Sequence, residues 1–371
     1  MRSTSTKVSG LFIGSLFILF FAGCGSGGGS AVSDPLVVVT PPPVVETPPT
    51  TIVSFELPDE ISPATAVAEM KVGINLGNTL DAPNEGDWAL PVQASFLAAF
   101  KDAGFKHVRI PVTWQEHVGQ SAPYEIDADF LARVEEIVDW ALAQDLYVIL
   151  NAHHEGWLKN NYSSVSNQNR FDSIWTSVAA HFKNKPAKLM YEMLNEPNGM
   201  TMDNVNELNK RVLEIIRGEN PNRLVVFSGN GFTPVDSLLS AEIPDVSDKF
   251  LIGNFHSYDP WEFAGQCQKS WGADADKVAL RDIYIRASDW AVVNQIPVIV
   301  NEFGTAKYDF TQPENICELS QRLDYLSEHV SLMSEFGIAG SFWDDGGSFS
   351  SYDRTNNSWG PEKDVLVAEN D

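Results

Sequence analysis

From residue 55 onward, short apolar runs alternate with longer stretches in which apolar positions recur every three or four residues. The runs at 72–76, 107–111, 146–152, 189–194, 224–228, 251–256, 298–301 and 340–343 have the length of buried strands. Between them, 91–103, 129–144, 168–184, 203–218, 235–240, 275–294 and 313–336 carry helical spacing. Strand and helix in alternation predict parallel strands under a cover of helices, and eight strands predict a closed (β/α)8 TIM barrel of the α/β class. Chemistry on such a barrel gathers at the carboxyl ends of the strands. A doubly wound open sheet is the other arrangement this alternation permits, but no Gly-rich phosphate loop follows any of the strands.

Before residue 55 the pattern changes twice. Arg2 and Lys7 precede an apolar stretch at 11–21 that is short for a bilayer span and ends in small residues ahead of Cys24. Residues 1–24 therefore read as an export leader. The small residues before Cys24 resemble a bacterial lipoprotein signal, which implies a lipidated Cys24 and a membrane anchor. With Gly25 in place of an acidic retention cue, the outer membrane is the expected destination, facing the cell surface or the periplasm. Ordinary cleavage would instead leave a free Cys24 and an extracellular protein. Residues 25–54 run GSGGGS into a Val/Pro/Thr-rich segment, flexible first and then stiff and extended, and read as a linker. Residues 55–371 form the remaining domain.

A net charge of −25 excludes nucleic acid as a partner and favours a substrate that is not an anion. Nothing in the chain asks for a cofactor, and a monomer is expected. Cys267 and Cys317 could pair in an exported protein, but their separation in space is not written in the sequence.

Two runs end alike, KLMYEMLNEP at 188–197 and PVIVNEFG at 297–304. Each passes from apolar residues into Asn-Glu. A charge at the end of a buried strand should emerge at the rim, so Glu196 is expected to end the fourth strand and Glu302 the seventh. Two carboxyl groups on one rim are what hydrolysis of a glycosidic bond requires. Around them lie GINLGNTLDAPNEGDW at 73–88, HVRIPVTW at 107–114, NAHHEGW at 151–157, LNEP at 194–197, HSYDP at 256–260, NEFG at 301–304 and FWDDGG at 342–347.

In that order, and at those strand ends, the motifs resemble glycoside hydrolase family 5, the family of many bacterial cellulases, over about residues 61–366. The resemblance implies a retaining hydrolase with Glu196 as acid/base and Glu302 as nucleophile. The acid must hold its proton, which burial and a nearby carboxylate favour; the nucleophile must stay ionised, which needs a cation and donors. Arg109 is the candidate cation, and Tyr258 the candidate donor to Glu302. Asn195 would meet the sugar 2-hydroxyl, a contact that strengthens in the transition state. His153 and His154 would line the cleft, His256 would support Glu196 or its neighbours, and Trp343 would offer an indole face to a sugar ring. Asn78 and Asp81 match positions that meet distal sugars in relatives. Trp88, Trp114, Trp157, Trp261 and Trp271 are candidates for further subsites or for packing.

A metal reading of His153-His154-Glu155 fails at this level. The spacing is not HExxH, and neighbours on a strand face opposite ways. The same rule points Asn301 away from Glu302 and leaves it outside the site. The substrate implied is β-1,4-glucan. Mannan, xyloglucan and lichenan hydrolysis are the alternatives within the family. A silent polysaccharide-binding lipoprotein is the alternative outside it, and no GxSxG elbow supports an esterase.

Overall fold

The computed structural model describes residues 60–370; the leader, Cys24 and the whole linker lie outside the described residues. Eight parallel strands run in chain order: β1 (Val72–Asn75), β2 (His107–Ile110), β3 (Tyr147–Asn151), β4 (Leu189–Glu192), β5 (Val225–Ser228), β6 (Leu251–Ser257), β7 (Val298–Phe303) and β8 (Ala339–Phe342). Each pairs with the next, and β8 pairs back on β1, so the sheet closes. The (β/α)8 barrel expected from the alternation is the fold.

Period-two alternation decides what the barrel encloses. Outward residues such as Val108, Ile110, Val148, Leu150 and Phe227 bury against the helices. Inward residues fill two layers of opposite character. The lower layer is apolar, with Tyr147, Ile149, Met190, Val226, Ile252 and Ile299. A helix the periodicity does not single out, Pro63–Met70, closes that layer with Ala66, Val67 and Met70. Ser62 caps it by accepting from the Thr65 N–H at 3.1 Å, with Pro63 in the first turn. The upper layer is polar and fully buried: Asn75, Arg109, Glu192, Asn254 and Asn301. It is the floor of everything described next.

The helices fall close to their expected positions except the last, which begins at Leu319 rather than 313. The chain before it doubles back, with Tyr308 bridged to Ile316 and the Asp309 side chain capping the Thr311 N–H. Cys317, expected on that helix, lies ahead of it and is disulfide-bonded to Cys267. The bond ties the loop after β6 to the loop after β7. Closing a segment of this length contributes about 2–4 kcal/mol.

Candidate active site

The floor is built around Arg109. Its guanidinium is wholly buried, and each of its five N–H groups has an acceptor. Nε and Nη2 donate to Glu192 at 2.6 and 2.9 Å, Nη1 to Asn75 Oδ1 at 2.8 Å and Glu302 Oε1 at 2.7 Å, and Nη2 again to Asn195 Oδ1 at 2.7 Å. Arg109 thus reaches Glu302 and Asn195, while its two-pronged partner is a residue the motifs did not single out. Glu192 is the last residue of β4 yet lies in the buried layer at 1% exposure, which corrects the expectation that a charge at a strand end emerges at the rim. An ionised pair with every donor satisfied is the condition under which burial is tolerated. The available signal was a glutamate within the apolar run LMYEML, opposite an arginine on a nearby strand.

Glu302 lies within β7. Its Oε2 accepts from the Tyr258 hydroxyl at 2.9 Å, and its Oε1 from Arg109. Burial, then the charge of Glu302, raises the Tyr258 pKa, so the phenol keeps the proton it donates. Asn301 also faces inward, donating through Nδ2 to Glu192 Oε2 at 3.0 Å. Strict alternation fails here because the register of β7 shifts between Val300 and Phe303. Leaving Asn301 out was therefore an error of local geometry.

Glu196 does not end β4. The strand stops at Glu192, and the chain runs on to Asn195, whose N–H donates to the Ala152 carbonyl at 2.9 Å. Glu196 itself adopts φ +34°, in the left-handed region that costs a non-glycine residue energy and recurs at functional sites. Its Oε1 lies 3.0 Å from His256 Nδ1, and the same nitrogen is 3.7 Å from Glu302 Oε2. Burial alone would lower the His256 pKa, but the charge of Glu302, with the hydrogen bond and charge of Glu196, holds it above its ordinary value. One oxygen of each glutamate and the His256 nitrogen all lie within 4.8 Å of one another.

His153 and His154 follow the last residue of β3, so strand alternation no longer separates them, and their rings meet edge to face at 4.4 Å. Both line the cleft. With Asp81 they approach closely enough to share an ion. However, the two ring nitrogens of His153 face the side-chain amide nitrogens of Asn151 (3.2 Å) and Asn195 (3.4 Å). The carbonyl oxygens of those amides are occupied by Val112 N–H and Arg109, so an amide N–H faces each ring nitrogen of His153, and one of the two takes the single lone pair of the neutral ring. Burial, with the neighbouring charges of His154 and Arg109 after it, keeps this imidazole neutral.

Trp343 stacks parallel to His153 at 5.8 Å and is half-buried. It approaches this closely because Gly77 lies under its ring, where a Cβ would fall 2.9 Å from the indole. Asn78 adopts φ +58°, and its N–H, with that of Thr79, is bound by the buried carboxylate of Asp81. Burial lifts the Asp81 pKa to about 6. In this structure Asp81 holds the turn after β1. Trp114 and Trp271 are core residues, and Trp157 donates to Glu155 Oε2. Trp88 is half-exposed, edge-on to His154, and Trp261 stands half-exposed on the cleft wall. Phe232 and Phe349 also line this cleft of about 830 Å³; no motif marked them.

Residues 71–347 match the family described as Cellulase (glycosyl hydrolase family 5). The chain belongs to that family. Among sequence relatives, Endoglucanase H of Acetivibrio thermocellus is 38% identical over 78% of this chain. The chain spans 31–55% of the length of that protein, Cellulase/esterase CelE of the same organism and Endoglucanase B of Paenibacillus lautus. Among solved structures, Thermotoga maritima Cel5A in complex with mannotriose is 30% identical with a TM-score of 0.76, covering 82% of this chain and 99% of that one. A tri-modular family 5, subfamily 4 endo-β-1,4-glucanase of Bacillus licheniformis complexed with cellotetraose is 35% identical with a TM-score of 0.75, covering 83% of this chain and 60% of that one. The family 5 match covers all eight strands.

Proposed function

We propose that this family 5 domain is a retaining endo-β-1,4-glucanase acting by double displacement. One observation carries the reading: oxygens of Glu196 and Glu302 approach within 4.8 Å. Retaining glycosidases hold their carboxyl groups ~5–5.5 Å apart, whereas inverting ones leave ~6.5–9.5 Å for a water molecule. The surroundings support unequal roles. Arg109 and Tyr258 both donate to Glu302, the arrangement that suits a carboxylate attacking the anomeric carbon. Glu196 faces the cleft and shares His256, suited to protonate the departing oxygen and then to deprotonate the water that releases the sugar.

The aromatic side chains that line the cleft, Trp343, Trp261 and Phe232, suit the C–H faces of neutral sugar rings. The net charge of −25 disfavours anionic polysaccharides. Cellotetraose in the Bacillus relative favours glucan; mannotriose in the Thermotoga relative keeps mannan as the second reading. Hydrolysis of barley β-glucan, carboxymethylcellulose, xyloglucan and mannan, followed by reducing-end release and proton NMR, tests both. The β-anomer should appear first, with glucan cleaved fastest. Initial release of the α-anomer would sink the mechanism, and binding without reducing ends would leave a glycan-binding protein.

We also infer that the chain is exported and lipidated at Cys24, acting as an outer-membrane monomer; the leader pattern supports this. Wild type should incorporate labelled palmitate and Cys24→Ala should not. Equal labelling of the two would refute the anchor.

A further inference from the structure

Lys159 ends the one-turn helix Gly156–Lys159 that follows His153-His154-Glu155. No motif includes it, and the reading above does not use it. Its side chain is buried at 7% exposure, and Nζ donates to the His153 carbonyl at 2.7 Å. Among the described residues it has no carboxylate within ion-pair distance. A buried ammonium without a direct counter-ion costs several kcal/mol, so its surroundings must compensate at longer range.

Those surroundings are the site's own glutamates. The charges acting on Lys159 are, in order, Glu196, Glu155, Glu302 and Glu192. Three of them already have direct partners. Glu192 and Glu302 are bound by Arg109, and Glu155 accepts from the Trp114 N–H and the Trp157 indole. Glu196 has only His256. The backbone supports the same pairing. The Lys159 carbonyl packs on Gly199, 3.7 Å from where a Cβ would sit, and Gly199 belongs to the turn that carries Glu196. The positive groups nearby are His256, held above its ordinary pKa by the two glutamates, Arg109 and, towards Glu155, Arg170; His153 and His154 are kept neutral by burial.

We propose that Lys159 is a positioning residue for the acid/base: it pins the His153 backbone, and its charge stabilises the ionised Glu196 that exists after proton donation. This rests on the assignment of Glu196 as acid/base. The cycle asks Glu196 to be neutral, then ionised, then neutral again. A fixed cation among these carboxylates lowers the cost of the ionised stage. Burial, against the pull of the glutamates, brings Lys159 itself to about 8, so it is charged throughout the neutral range.

Lys159→Met removes this charge, so the cost should fall on the step in which Glu196 gives up its proton. The kcat on β-glucan should fall about tenfold with KM little changed. With 2,4-dinitrophenyl β-cellobioside, whose leaving group needs no proton, the rate of glycosyl-enzyme formation should be nearly normal. Lys159→Cys alkylated with 2-bromoethylamine, a lysine isostere, should restore kcat. Equal losses on the two substrates would reduce Lys159 to a packing role and overturn the proposal. Failure of the parent reading looks different: Glu196→Gln would then keep full activity on β-glucan.

Discussion

Glu302→Ala is expected to lose activity on β-glucan by on the order of 10⁵-fold, because the covalent step has no other acceptor for the sugar. Sodium azide should restore part of the rate by entering the vacated space, and the product should be the α-glycosyl azide. Glu196→Ala should behave oppositely. It should keep rapid glycosyl-enzyme formation from the dinitrophenyl glycoside, stall at turnover, and yield the β-azide when rescued. Azide products of the same anomeric form from both variants would refute the division of roles. Stability adds a second reading of Glu302. Arg109 carries one charge between two buried carboxylates, so removing one leaves a balanced pair. Thermal unfolding of Glu302→Gln should therefore match or exceed wild type.

Arg109→Met is expected to cost stability as well as activity. All five of its N–H groups are in use, and Glu192 lies at 1% exposure beneath it. Without the guanidinium, Glu192 is a buried anion with only Asn301 as donor, a loss of about 3–5 kcal/mol. Denaturant unfolding at pH 7 measures this. The double variant Arg109→Met, Glu192→Leu should recover most of the loss by removing the stranded charge, yet remain inactive because Glu302 has lost its cation. Arg109→Lys should not substitute, since an ammonium has three donors and cannot present a fork to Glu192. If Arg109→Met unfolds within about 1 kcal/mol of wild type, the buried layer is not held as described.

Both expectations show how unevenly the site was written along the chain. Glu196, Glu302, Arg109 and Tyr258 were legible because each falls in a short motif at the end of an apolar run. Glu192 was not, because one glutamate among apolar residues looks the same whether it is buried beside an arginine or turned to water. Asn301 was misread for a more specific reason. Alternation was the right rule for a regular strand, but the register of β7 shifts at that point. His153 and His154 share a face because β3 has already ended before them.

Local pattern was enough for the eightfold alternation, hence the barrel, the end of it at which the chemistry is expected, and the residues that motif and order mark together. These are local properties: a strand's period and a helix's period are set within a few residues. Packing supplied the rest. It brought Cys267 and Cys317 together, placed a helix under the barrel, set Glu192 and Asn301 around Arg109, and put the Lys159 ammonium against the His153 carbonyl. Each of these depends on distances between segments far apart in the chain. Closure of the sheet fixes those distances, and no window of sequence contains them.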